Sequence, residues 1–118
     1  MATTSDDEIY RARDKFLPKA MELHAKYPLM DGHNDLPWAI KCGFDNDMSA
    51  VPDLSTNLKG VKFDGIRHGC LHTDIPRLRI GGAGAQFWSV YIPTSITGPE
   101  AIQATMEQID VVHRLCEQ

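Results

Sequence analysis

"PLMDGHNDLPW", residues 28–38, is the stretch on which the reading of this chain turns. Leu29 and Met30 lead, with no polar residue between them, into Asp31, Gly32, His33, Asn34 and Asp35. Leu-Pro-Trp follows. A short apolar run that does not alternate, placed behind a proline, predicts a strand buried on both faces. Side chains alternate along a strand, so His33 and Asp35 are expected on one face, joined by Asp31 if the geometry holds through Gly32. A neutral imidazole beside a carboxylate makes a sound pair of ligands for Zn²⁺. The same spacing also suits a plain structural role, with Asp35 capping a turn and His33 hydrogen-bonded nearby.

The surroundings of the motif bear on that choice. Upstream, Ser5 and Glu8 form an S-x-x-E capping box, a helix start signal. Ile9, Ala12, Phe16, Ala20 and Leu23 then recur at helical spacing. Pro18 inside that stripe predicts a kink, or a second helix that opens at the proline. Pro28 ends the pattern. Downstream, residues 36–72 are broken by Pro37, Gly43, Pro52, Gly60, Gly65 and Gly69 and predict a long connection with little regular structure. A structureless connection of that length in a compact domain is either functional or a misreading of its elements.

Order returns in "HTDIPRLRIGG", which predicts a short helix. Thr73 or Asp74 can cap it, Pro76 suits its first turn, and Gly81 or Gly82 can end it. "AQFWSVYIP", rich in aromatic and β-branched residues, predicts a second strand. Phe87 and Trp88 are neighbours there and must face opposite ways. Packing is the expected role of both, and a place for Gln86 and Trp88 at the mouth of the site is the lesser alternative. Thr97 and Glu100 form another capping box, and Ile102, Met106, Ile109, Val112 and Cys116 mark one face of a last helix. Strands alternating with helices predict an α/β fold with a parallel sheet. Two strands cannot close such a sheet, so the chain reads as the front part of a larger fold. His33 and Asp35 would stand at the carboxyl end of its first strand, where β/α barrels build their active sites.

Composition narrows the function classes. The chain has 118 residues, 42% of them hydrophobic, and a formal net charge of −4. A negative balance argues against nucleic acid as a partner. No apolar run approaches the length of a membrane span. The polar, acidic opening "MATTSDDEIYRARDKF" resembles neither a signal peptide nor a transit peptide, so a cytoplasmic location is the expectation. Cys42, Cys70 and Cys116 are odd in number and irregular in spacing, which suits free thiols in a reducing compartment. His68, Cys70 and His72 form an H-x-C-x-H cluster, either a soft metal grip or an ordinary loop. His24 and His113 read as helix-surface residues, and Arg77 and Arg79 as a solvated face. "GGAG", residues 81–84, lacks the spacing of a phosphate-binding turn and precedes a strand, so it reads as a tight connection.

Taken together, "LMDGHNDLPW", "HTDIPRLRIGGAGAQFWSVYIP" and "QIDVVHRL", in that order, resemble the membrane (renal) dipeptidase family, zinc peptidases of the amidohydrolase type. The resemblance runs from about residue 28 to the end and is loose over residues 1–27. It implies a (β/α)8 TIM barrel, of which residues 28–118 would supply the first two β/α units after an N-terminal helical segment. It implies hydrolysis of dipeptides, Cys-Gly bonds among them, with two Zn²⁺ ions in the complete enzyme and a homodimer as a compatible assembly. His33 and Asp35 would be metal ligands, and Trp38 a wall of the substrate pocket. The family's bridging glutamate and two further histidines fall on later strands. No residue here takes a catalytic acid–base role, and the 118-residue chain alone is expected to be inactive. Two other readings stay open. One is a different amidohydrolase-type reaction, on a cyclic amide or amidine, which "QFWSVY" disfavours. The other is a non-catalytic truncated product. A secreted or membrane-anchored location also stays open for this family.

Overall fold

The computed structural model describes residues 14–66 and 69–117. In chain order these form α1 (Leu17–Lys26), β1 (Leu29–Asn34), α2 (Leu36–Phe44), α3 (Ile75–Ile80), β2 (Ala83–Trp88) and α4 (Gly98–Cys116). The strands pair in parallel as a two-stranded sheet. The capping box at Ser5 and the start of the first apolar stripe lie outside the described residues. Pro18 sits in the first turn of α1, where its missing N–H leaves no bond unmade.

Two details of the sheet shape everything near the motif. Gly84 comes so close to the chain entering β1 that a Cβ there would lie 2.6 Å from Pro28 Cβ. The register is also irregular. Asp31 pairs with Gln86 and Asn34 with Trp88, so β1 advances one residue more than β2 across Gly32 and His33. That is a bulge, and bulges re-aim the side chains they carry.

Three expectations need correction here. First, β1 is exposed along Leu29–His33 and only half-buried at Asn34, rather than buried on both faces. Among the described residues β2 is its only sheet partner, so its faces have little to pack against. Second, the connection after the motif is not irregular throughout, because Leu36–Phe44 is helical. Pro37 stands in the first turn of α2, where proline favours a helix, and Gly43 is tolerated in the last turn beside Ile66. Leu36 and Ile40, four apart, are both buried. Third, the apolar stripe on α4 is not the face it buries. Gln108 and Val111 point inward, while Ile102 and Met106 are 69% and 59% exposed. Thr97 precedes α4 as expected but makes no side-chain cap bond.

The core lies beside the sheet rather than on it. Leu36 and Ile40 from α2, Leu58, Ile66 and Leu71 from the following connection, and Val111 from α4 are its buried members. Trp88 and Leu115 pack against that cluster, while Phe87 points out to solvent. The connection is held by Asp74, the N-cap of α3. Its carboxylate accepts hydrogen bonds from the N–H groups of Arg77 and Leu58, each at 2.8 Å, and from Arg77 Nε. Arg77 Nη2 continues the chain of bonds to the Leu71 carbonyl at 2.9 Å. The arginine expected on a solvated face is therefore partly buried and structural.

Candidate metal centre

β1 ends at Asn34, and Asp35 has already left the strand with φ −90° and ψ 23° as the residue before α2. Strand alternation therefore does not bring His33 and Asp35 together. The bulge and the turn into α2 do so instead, and they place His33 Nε2 3.0 Å from Asp35 Oδ1. Two donors about 2.0–2.1 Å from one tetrahedral ion lie roughly 3.3 Å apart. The spread and chemistry of this pair thus fit two coordination positions on a single Zn²⁺. The side chains are 67% and 54% exposed, so an ion can reach them. Asp31 does not join them, because its carboxylate turns back to accept the His33 main-chain N–H at 3.3 Å.

The pair opens onto a cavity of about 590 Å³ lined by both of its residues, by Trp38 and Cys42 on α2, and by Cys70, His72, Thr73 and Tyr91. Trp38 is thus placed on the wall beside the pair. Its ring meets Tyr91 edge-on at 5.6 Å between centroids. Tyr91 was not singled out from the sequence. It lies three residues past the end of β2, and only the fold shows that this stretch returns to α2. Cys42 also lines the cavity, and burial pushes its thiol pKa up, which Lys41 only partly offsets. Of the H-x-C-x-H cluster, His68 lies outside the described residues, while Cys70 and His72 line the cavity. Among the described residues no three His, Cys, Asp or Glu side chains converge on one point.

Asn34 is a second residue that sequence reasoning passed over. Its carboxamide contacts Leu36, Thr73 and Gln86, and so joins β1, α2, the connection and β2 directly between the two donors. No spacing rule signals such a residue, because its partners come from positions far apart in the chain.

A parallel β/α arrangement with a histidine–carboxylate couple at the carboxyl end of its first strand is one that metal-dependent enzymes use. Comparison with known proteins is more specific. Residues 17–118 match the family model described as membrane dipeptidase (peptidase family M19), and the chain belongs to that family. It is 38% identical over 98 residues to dipeptidase 3 of Mus musculus, covering 83% of this chain and 17% of that protein. It is 34% identical over 111 residues to dipeptidase ataJ of Aspergillus terreus, covering 87% of this chain and 24% of the relative. Against dipeptidase verJ of Clonostachys rogersoniana the identity is 35% over 114 residues, 88% of this chain and 26% of the relative. The chain therefore spans about a quarter or less of the length of these relatives.

Proposed function

We propose that residues 28–118 are the first two β/α units of a (β/α)8 barrel whose complete protein hydrolyses dipeptides with the help of bound zinc. Residues 1–27 form a leading segment. The observation that carries this reading is the His33–Asp35 couple, spread 3.0 Å and facing a cavity, in a chain of the dipeptidase family. His33 Nε2 and Asp35 Oδ1 would hold one of the ions. When bound, zinc supplies Lewis-acid polarisation of the scissile carbonyl and lowers the pKa of water. The chain's own residues have other tasks. Trp38 and Tyr91 form an aromatic wall that can bound a substrate side chain and exclude water from it. The dipeptide class, including Cys-Gly, belongs to this proposal.

Two donors are fewer than a catalytic zinc site requires. Hydrolysis therefore depends on ligands beyond those described here, and the 118-residue chain alone would be inactive. The test is to express the complete native reading frame that contains these residues, load it with Zn²⁺, and assay a panel of L-dipeptides including Cys-Gly. Hydrolysis that falls at least 100-fold in His33→Ala is expected. Absence of dipeptide hydrolysis, or a rate indifferent to His33→Ala, would overturn the reading.

A further inference from the structure

The geometry points to Asn34 as a positioning residue whose carboxamide fixes the spread of His33 and Asp35. The inference rests on the reading of those two residues as metal ligands, but its first test does not need the metal. Asn34 Nδ2 donates to Thr73 Oγ1 at 3.0 Å and to Gln86 Oε1 at 3.2 Å. Asn34 Oδ1 accepts the Leu36 N–H at 3.0 Å and lies 3.2 Å from the Thr73 hydroxyl, which can donate to it. Both donor hydrogens and both lone-pair directions of the amide are thus engaged.

The polarity of this network is dictated from its ends. Gln86 Nε2 lies 3.3 Å from the Asp31 carbonyl and 3.2 Å from the Phe87 carbonyl, and carbonyls only accept. Gln86 must therefore present its oxygen to residue 34, which must answer with N–H. On the other side the Leu36 N–H can only donate, so residue 34 must answer there with oxygen. Asparagine has both in one planar group, whereas aspartate would set oxygen against the Gln86 oxygen. The network also brackets the bulge. Gln86 holds the Asp31 carbonyl before it, and Asn34 holds the Leu36 N–H after it. The Asn34 carbonyl accepts the Ser89 N–H at 2.9 Å. The side chains of His33 and Asp35 are themselves largely exposed and touch each other, and their other hydrogen bonds are main-chain ones, from the His33 N–H to the Asp31 carboxylate and from the Ala39 N–H to the Asp35 carbonyl. Groups that orient metal ligands from outside typically change metal affinity 10–100-fold when removed.

The test uses the ¹⁵N-labelled 118-residue chain with Asn34→Ala, Asn34→Asp, Thr73→Val and Thr73→Ser. Without metal, hydrogen-exchange protection of the Leu36 amide and the nuclear Overhauser contacts between the His33 ring and Asp35 are read against the Ile40 and Val111 amides. In Asn34→Ala the Leu36 protection and the His33–Asp35 contacts should be lost while the core amides stay protected, whereas Asn34→Asp, which keeps an acceptor for the Leu36 N–H but no donor for Gln86, should retain the Leu36 protection and weaken the His33–Asp35 contacts. Thr73→Val should weaken both, and Thr73→Ser, which keeps the hydroxyl, should restore them. With Zn²⁺ alone as titrant, the apparent dissociation constant read at His33 should rise at least 10-fold in Asn34→Ala. Retention of the contacts and of wild-type Zn²⁺ affinity in Asn34→Ala would overturn the positioning role and leave the metal reading standing. If wild-type His33 ignores Zn²⁺, the metal reading falls and the metal-free contacts alone decide the role of Asn34. If the Asn34 variants unfold, the Thr73→Val and Thr73→Ser pair decides it.

Discussion

Asp74 and Asp35 are both carboxylates beside a helix start, yet they serve opposite ends. The Asp74 side chain has 0% exposure, and its ionised form is held by two backbone N–H groups and a guanidinium. Burial pushes its pKa up, but the hydrogen bonds from Arg77 and Leu58 outweigh that and leave it below the ordinary carboxylate value. A depressed folded value means the stabilisation is complete above the unfolded pKa of about 3.9 and is lost as pH falls through the folded one. Urea midpoints should therefore be flat from neutral pH to about 5 and fall below about 4. Asp74→Asn should flatten that acid limb. Asp74→Ala should lower stability at pH 7 by about 2–4 kcal/mol, because it orphans the donors of Leu58 and Arg77. The His33–Asp35 couple is more than half exposed, so its contact adds little to the fold. His33→Ala and Asp35→Ala should each shift the urea-derived stability by less than about 0.5 kcal/mol.

At the scale of elements, what could be read from the chain follows from how local each cause is. The cap of α3 at Asp74, Pro76 in its first turn and Gly81 at its end are interactions within a few residues, and the structure has all of them. Leu36–Phe44 was harder, because Pro37 and Gly43 break a helix interior yet are tolerated at its ends, and sequence does not mark the ends. The bulge at Gly32–His33 has no local signature, since it is defined only against β2. The juxtaposition of His33 and Asp35 was expected for the wrong geometric reason. The contacts of Tyr91 and Asn34 depend on partners that only folding brings near. Gly84 shows the same dependence. A Cβ at residue 84 would meet Pro28 Cβ at 2.6 Å and Pro28 Cα at 3.3 Å, and a proline cannot swing aside. Gly84→Ala should destabilise the chain by about 1–3 kcal/mol in chemical denaturation, and a neutral result would mean the entry to β1 is looser than drawn.

At the scale of the whole molecule, several large apolar side chains among the described residues are exposed. Ile102 and Met106 are exposed on α4, and Met30 and Phe87 are exposed on the two strands. Large exposed side chains of this kind favour association in a chain that stands alone. The 118-residue chain should bind a hydrophobic dye, and Ile102→Gln with Met106→Gln should reduce that binding. Neither residue belongs to the core, so the urea midpoint should move by less than about 0.5 kcal/mol equivalent. Membership of the dipeptidase family rests on most of the chain, whereas the proposed chemistry rests on two side chains at one strand end. The most direct measurement is therefore to titrate Zn²⁺ into the ¹⁵N-labelled chain and follow the imidazole and backbone signals of wild type, His33→Ala and Asp35→Ala. Saturable shifts centred on His33 and Asp35, lost in both variants, are predicted. No response at His33, or an unchanged response in Asp35→Ala, would contradict the assignment of this pair as metal ligands.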